Sequence, residues 1–137
     1  LTVKEPEFMA KQFQEAVTSD PVVSAFALML LHAVTNAHIN HWRAKTYSQH
    51  VALGDFYEGL QDKTDAFIEA YMGKYGVLEN YKSFYALPGP DPVAELQLLC
   101  NNVYTMREKL PQDSELQNLI DEIKDLKREL RAMEEAE

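Results

Sequence analysis

The sequence predicts an all-α protein built as a four-helix bundle, and three observations support this. Apolar residues recur at helical spacing along most of the chain. The 5 glycines and 6 prolines cluster in a few places, as in long helices joined by short breaks. Alternating patterns typical of β-strands are nearly absent. The 137 residues are enough for one domain with its own core.

The chain, 1–137, is predicted to form a single domain, with an N-terminal arm over 1–19 and the bundle over 20–137. Within the arm, apolar residues recur at helical spacing over 6–18 and predict a short extra amphipathic helix.

The first long helix is predicted to begin at Pro21, because Asp20 and Pro21 form an N-cap and first-position pair. It can extend to about Ala44. Its residues are apolar nearly all round, which predicts a place in the middle of the bundle.

The second long helix is predicted to follow a tight connection at 45–47. Ser48 can cap this helix, which extends to roughly Lys74 and is ended by Gly76. Its projection gathers one apolar face, formed by Leu53, Phe56, Leu60, Phe67 and Tyr71.

The third helix is predicted after a longer, aromatic-rich connection over 77–90. Asp91 and Pro92 repeat the N-cap signature, and this helix ends near Leu110, before Pro111.

The fourth helix, capped by Asp113 or Ser114, carries apolar residues at alternating spacings of three and four. This seam consists of Leu116, Leu119, Ile123, Leu126, Leu130 and Met133. Such an a/d seam either packs on neighbouring helices of the same bundle or forms a dimeric coiled coil.

Charge and composition bear on partners and compartment. The net charge of −9 and the lack of a basic arm argue against DNA binding and favour attraction of cations. A single cysteine, Cys100, fits a reducing compartment and more often packs as a small apolar residue than acts as a nucleophile. No signal peptide is evident, and the apolar stretch 25–37 is too short to span a bilayer. We therefore expect a cytoplasmic protein.

Three of the four histidines lie close together in sequence, in HINHWRAKTYSQH. His38 and His41 are three residues apart and share one side of a helix, and His50 follows nine residues after His41. Imidazole nitrogens with carboxylate oxygens are ligands for iron, manganese or zinc. Core packing is the competing interpretation of His38 and His41. Trp42 is expected to be a core or interface anchor, and His32 to be structural.

Four carboxylates form an acidic stripe on the second helix: Glu58, Asp62, Asp65 and Glu69. A solvated helix face explains such a stripe by itself. Because a histidine-bearing helix end is expected nearby, the stripe is also a candidate metal-binding face.

The order His-x-x-His-Trp, then His, then Asp-x-x-x-Glu resembles the Dps-type mini-ferritins of the ferritin-like superfamily. That resemblance covers about residues 25–134 and implies a ferritin-like bundle that assembles into homo-oligomers, either two-fold dimers or larger cages. It also implies a site between subunits that oxidises Fe(II). By position, His41 and His50 match the family's histidines, and Asp65 and Glu69 match its aspartate and glutamate.

Two features depart from the Dps pattern. Gly54 stands where the family has a ligating aspartate, with Asp55 and Glu58 as possible substitutes, and the stretch between His41 and His50 is three residues shorter than usual. The segment from Tyr71 to Gly76, together with His-x-x-His-Trp, gives a looser likeness to small phage-encoded proteins. That likeness suits a subunit that has drifted from its parent chemistry, in which case the compartment is that of the host cell.

Three functions remain open at this point. The first is a Dps-like ferroxidase that uses His41, His50, Asp65 and Glu69, with Glu58 and Asp62 guiding cations. The second is a ferritin-like scaffold with a degenerate or non-redox site for zinc, manganese or no metal. The third is an interaction protein whose oligomer contacts are built by the apolar seam from Leu116 to Met133 and by the aromatics Tyr75, Tyr81, Phe84 and Tyr85.

Overall fold

The computed structural model of the chain describes residues 21–82, 85–110, 112 and 114–136. Within these ranges the chain forms four α-helices and no strand: α1 (Pro21–Arg43), α2 (Tyr47–Tyr75), α3 (Pro92–Arg107) and α4 (Ser114–Ala136). The predicted all-α class is confirmed, and the arrangement is compatible with a four-helix bundle. The short helix predicted over 6–18 and Phe84 lie outside the described residues.

The four helices pack around one apolar core in the order α1, α2, α4, α3. The rings of Phe26 on α1 and Phe67 on α2 meet edge to face, with centroids 5.5 Å apart. The pairs α1–α2 and α2–α4 contact one another most extensively, and α1–α3 is the least extensive of the four pairs. The bundle is therefore loosest between α1 and α3.

Helix α1 begins at Pro21, as predicted, and ends at Arg43. It buries one side against the core but leaves Leu31 47% exposed, so it occupies a corner of the bundle and not its middle. By length and composition alone α1 could cross a membrane, although core helices pass the same test. The shortness of the apolar stretch 25–37 therefore does not exclude a membrane span by the whole of α1.

Helix α2 begins one residue earlier than its predicted cap. The N-cap is Thr46, whose Oγ1 accepts a hydrogen bond from the backbone N–H of Gln49 at 3.2 Å. Ser48 lies inside the first turn, so its prediction as the cap is wrong. Gly76 ends the helix as predicted, with φ of 97° and its N–H donated to the Met72 carbonyl at 2.9 Å.

The described residues of the connecting segment, 77–82 and 85–90, run alongside α1 from its N-terminal to its C-terminal end. Hydrogen bonds to α1 attach these residues, among them Ser24 Oγ to the Glu79 carbonyl (2.6 Å), Tyr85 Oη to Asn36 Oδ1 (2.6 Å) and Arg43 Nη1 to the Pro88 carbonyl (3.1 Å). The segment thus lies beside the loosely packed α1–α3 side.

Helix α3 has the predicted start. Asp91 is its N-cap and accepts from the N–H of Val93 at 3.0 Å. The helix ends at Arg107, three residues before the predicted end at Leu110. Ser114 is the first helical residue of α4, and the alternative cap, Asp113, lies outside the described residues.

The apolar seam of α4 packs inside the subunit. Its first five residues, Leu116 to Leu130, are at most 4% exposed, and Met133 packs half-buried against the same core. The bundle interpretation of the seam is confirmed. A coiled-coil dimer through these side chains would require the subunit to open.

Candidate functional site

His41 and His50 form a reciprocal pair where α1 ends and α2 begins. His41 Nδ1 lies 2.5 Å from the backbone carbonyl oxygen of His50, and His50 Nδ1 lies 2.9 Å from that of His41. The two rings stack with centroids 3.7 Å apart and planes 19° from parallel. Each imidazole is therefore fixed by the backbone of the other residue.

The pairing determines which ring nitrogen carries a proton. A carbonyl oxygen can only accept a hydrogen bond, so both Nδ1 atoms must donate. In the neutral rings Nε2 then carries the lone pair, which is the form that binds metals. Donation of the second ring nitrogen to a backbone carbonyl is how metal-ligating histidines are commonly oriented.

Gly54 leaves room for this pair. A Cβ built at position 54 would lie 2.9 Å from His41 Cε1 and 3.1 Å from His41 Nδ1, closer than ordinary van der Waals contact. The position at which the Dps pattern has an aspartate is therefore filled here by an imidazole ring. Asp55 and Glu58, the two possible substitutes, are both exposed.

An aromatic group extends from the pair to the surface. His38 stacks on Tyr57 with centroids 4.0 Å apart, and Trp42 packs on His38 with centroids 4.4 Å apart. Tyr57 in turn meets His41 edge to face at 5.5 Å. Trp42 is 69% exposed, so its prediction as a core anchor is wrong and the interface interpretation remains.

The acidic stripe lies apart from the histidines in the same chain. Asp65 follows His50 by fifteen residues on one helix, which is about 22 Å along its axis at 1.5 Å per residue. The four stripe carboxylates, Glu58, Asp62, Asp65 and Glu69, are all exposed. Among the described residues no group of three or more metal-ligating side chains forms. A complete site built from these residues would need a second chain.

The Asp-x-x-x-Glu spacing also occurs on α4, at Asp125 and Glu129. Both of these carboxylates are exposed, and Asp125 makes a 3.4 Å ion pair with Arg128. The Asp-x-x-x-Glu spacing alone is therefore weak evidence for a metal site, and it supports one only together with the histidine pair.

The other residues singled out in the sequence are His32, Cys100, Tyr75, Tyr81 and Tyr85. The His32 ring meets the Tyr85 ring edge to face at 5.0 Å, which fits the structural role expected of His32. Cys100 is buried, and burial raises the pKa of its thiol, although Lys127 and Lys124 act in the opposite direction. Tyr75, Tyr81 and Tyr85 are partly exposed, between 41% and 49%.

Sequence reasoning missed the interlocking of His41 with His50 and the role of Gly54. A glycine inside a helix is the signal that could have revealed the close approach, because its helix propensity is poor and its use there indicates contact with a neighbour. Sequence reasoning also missed Asn40, a buried amide whose Oδ1 has no hydrogen-bond partner.

Comparison with known proteins gives one family. The family of unknown function DUF5856 matches residues 41–131, a span that includes the histidine pair and the acidic stripe. No curated protein and no solved structure matches the chain. Because the match covers most of the chain, the protein belongs to the DUF5856 family.

Proposed function

We propose that the protein is a Dps-like homo-oligomer that binds and oxidises Fe(II) at a site shared between two subunits. His41 and His50 of one subunit supply the nitrogen ligands, and Asp65 and Glu69 of another supply the oxygen ligands. The observation that carries the proposal is the reciprocal pairing of the two histidines, which leaves both Nε2 atoms available.

The ligand types suit iron in both oxidation states. Imidazole nitrogen binds Fe(II), and anionic oxygen favours Fe(III), because the smaller, more highly charged ion gains more from a carboxylate. Two Fe(II) ions give one electron each to hydrogen peroxide, which takes up two protons and becomes two water molecules. Glu58 and Asp62, exposed on the same helix, raise the local concentration of cations.

Two features of the subunit support a shared site. His50 and Asp65 are about 22 Å apart along α2, and His41 is paired with His50, so only assembly can join the histidines to the carboxylates. Trp42 and Tyr47, 69% and 80% exposed at the histidine end of the bundle, provide apolar surface for such an assembly.

The test is anaerobic titration of metal-free protein with Fe(II), followed by hydrogen peroxide, with ferric absorbance and particle mass recorded together. The proposal predicts saturable binding and oxidation faster than in buffer. Asp65→Ala combined with Glu69→Ala should abolish both. The matched control is Asp125→Ala with Glu129→Ala, which removes an exposed pair of the same spacing on α4 and should change neither.

A mixing experiment tests whether the site is shared. His41→Ala/His50→Ala subunits and Asp65→Ala/Glu69→Ala subunits should each fail to bind Fe(II) alone. Unfolded and reassembled together, they should regain part of the binding, since a mixed pair contains one intact site. Failure of the mixture to regain binding, while mixed oligomers form, would contradict a site between subunits.

A second candidate is a ferritin-like scaffold without redox activity, favoured by the filling of position 54 with the His41 ring. On this alternative the protein assembles, and zinc or manganese raises its melting temperature or has no effect, without any turnover of Fe(II). Assembly without Fe(II) oxidation above the rate in buffer would favour the scaffold over the ferroxidase.

A further inference from the structure

An elongated cavity of about 710 Å³ lies on the loosely packed side of the bundle. Its walls are α1, α3 and the connecting segment, and Leu53 and Phe56 of α2 form part of its floor. Along α1 it reaches from Pro21 to Asn40, about 28 Å at the rise of an α-helix. Its volume falls within the range of about 300–1,000 Å³ usual for small-molecule sites.

The cavity is predominantly apolar, but among the described residues its wall contains one buried polar atom without a hydrogen-bond partner. Asn40 lines it, is only 4% exposed, and its Oδ1 is buried without a hydrogen-bond partner. Thr64 Oγ1 is the other such atom in the described part of the chain, and Thr64 does not line the cavity. An unpaired buried amide is costly, about 1–3 kcal/mol, so a partner at this position stabilises the protein.

Two other polar side chains of the cavity wall already have partners. Asn36 accepts a hydrogen bond from Tyr85, and Glu95 Oε1 accepts one from the N–H of Gly89 at 2.7 Å. Asn40 is therefore the buried polar group of the wall that a bound molecule can satisfy.

We propose that this cavity binds an elongated, uncharged, apolar molecule with a hydroxyl or amide group, such as a long-chain alcohol. The apolar chain lies between α1 and α3, and its polar group hydrogen-bonds the Asn40 carboxamide. The amide is itself uncharged, and transfer of an ion to such a site is far more costly than transfer of a neutral group. The cavity lining does not include His41 or His50, and the proposal does not depend on iron.

The probes are decan-1-ol, decane and decanoate, tested on the full chain by isothermal titration and thermal unfolding. We expect decan-1-ol to bind and to raise the melting temperature, since a ligand that binds only the folded state stabilises it. Asn40→Leu should weaken decan-1-ol binding by about 5- to 10-fold, the value of one neutral hydrogen bond, and leave decane binding unchanged or stronger.

A pair of exposed leucines provides the control for location. Leu98→Glu places a charge in the cavity wall, at a position 54% exposed and tolerant of a polar residue, and should weaken binding of every probe. Leu31→Glu, at 47% exposure on α1 but outside the wall, should leave binding unchanged. Equal losses in both variants would indicate nonspecific surface binding and overturn the proposal.

Two further outcomes would also overturn it. Preference for decanoate over decan-1-ol would mean that Lys82, an exposed cation of the cavity wall, selects the ligand and that Asn40 does not. No binding of any probe would mean that water alone fills the cavity and pairs with Asn40.

Discussion

The imidazole of His41 occupies the space beside the α-carbon of Gly54. A side chain at position 54 would begin with a Cβ atom 2.9 Å from His41 Cε1, so the two positions are mutually dependent. The glycine that interrupts the Dps-like pattern is thereby explained by packing within the subunit.

Gly54→Ala should destabilise the protein although alanine is the better helix former. The added methyl displaces the His41 ring, and overpacking of this kind costs about 1–3 kcal/mol. Gly73→Ala is the matched control: it lies on the same helix with nothing within 4 Å, and should stabilise by about 0.5–1 kcal/mol. Urea unfolding measures both. Equal effects of the two substitutions would contradict the close contact at Gly54.

The tautomers of His41 and His50 can be determined directly by NMR spectroscopy. Both neutral rings should carry the proton on Nδ1, because each Nδ1 donates to a carbonyl oxygen. Long-range ¹H–¹⁵N correlation spectra in mildly alkaline solution distinguish the two tautomers. His50→Ala removes only the imidazole and keeps the backbone carbonyl, so His41 should retain the Nδ1–H form in this variant. A native His41 in the Nε2–H form, which predominates in free histidine, would argue against the pairing.

Thr46 and Ser48 should respond differently to alanine. Thr46→Ala removes the side-chain acceptor of the Gln49 N–H and should cost about 1 kcal/mol. Ser48→Ala changes a residue already inside the helix, where alanine is at least as favourable, and should be neutral or slightly stabilising. Thermal unfolding of the two variants compares them. A larger loss of stability from Ser48→Ala than from Thr46→Ala would indicate that Ser48 is the cap.

Trp42 should report assembly. It is the single tryptophan, it is 69% exposed in the subunit, and it packs on His38. We expect its emission to shift to shorter wavelength as protein concentration rises and subunits associate. Trp42→Ala should weaken association, measured by light scattering, while changing the helical content little. An emission wavelength typical of solvent-exposed tryptophan in the fully assembled particle would exclude Trp42 from the interface.

Cys100 should be protected from thiol reagents in the native protein. Burial raises the pKa of its thiol from 9.0, so the thiolate is scarcer in the folded chain than in the unfolded chain. The folded state therefore binds the proton more tightly, and this stabilisation is complete below the unfolded pKa. It is lost as pH rises through the folded pKa. Labelling kinetics with a disulfide reagent, compared in buffer and in urea, check the protection, and rapid labelling of native protein would contradict it.

Periodicity and capping residues predicted most of the helical framework. Asp91 and Gly76 marked their helix ends correctly, because caps act locally through one or two hydrogen bonds. Thr46 was missed because two nearby residues, Thr46 and Ser48, can serve as the cap, and only backbone geometry decides between them.

The candidate site was less predictable from sequence. Spacing placed His41 and His50 at facing helix ends, but their mutual hydrogen bonds depend on the turn between the helices. The exposure of Trp42 depends on which side of α1 meets the core, and a helix with apolar residues on most sides does not specify that side. Whether Asp65 and Glu69 meet the histidines depends on how subunits assemble. The apolar periodicity of one chain does not predict that arrangement.

The histidine pair also bears on the order of folding. His41 and His50 are nine residues apart, so bringing their backbones together closes a short loop at a small entropic cost. The corner between α1 and α2 can therefore form early, before α4 arrives from more than sixty residues away to cover α2. We expect substitutions at this corner to slow refolding, and substitutions in the α4 seam chiefly to speed unfolding.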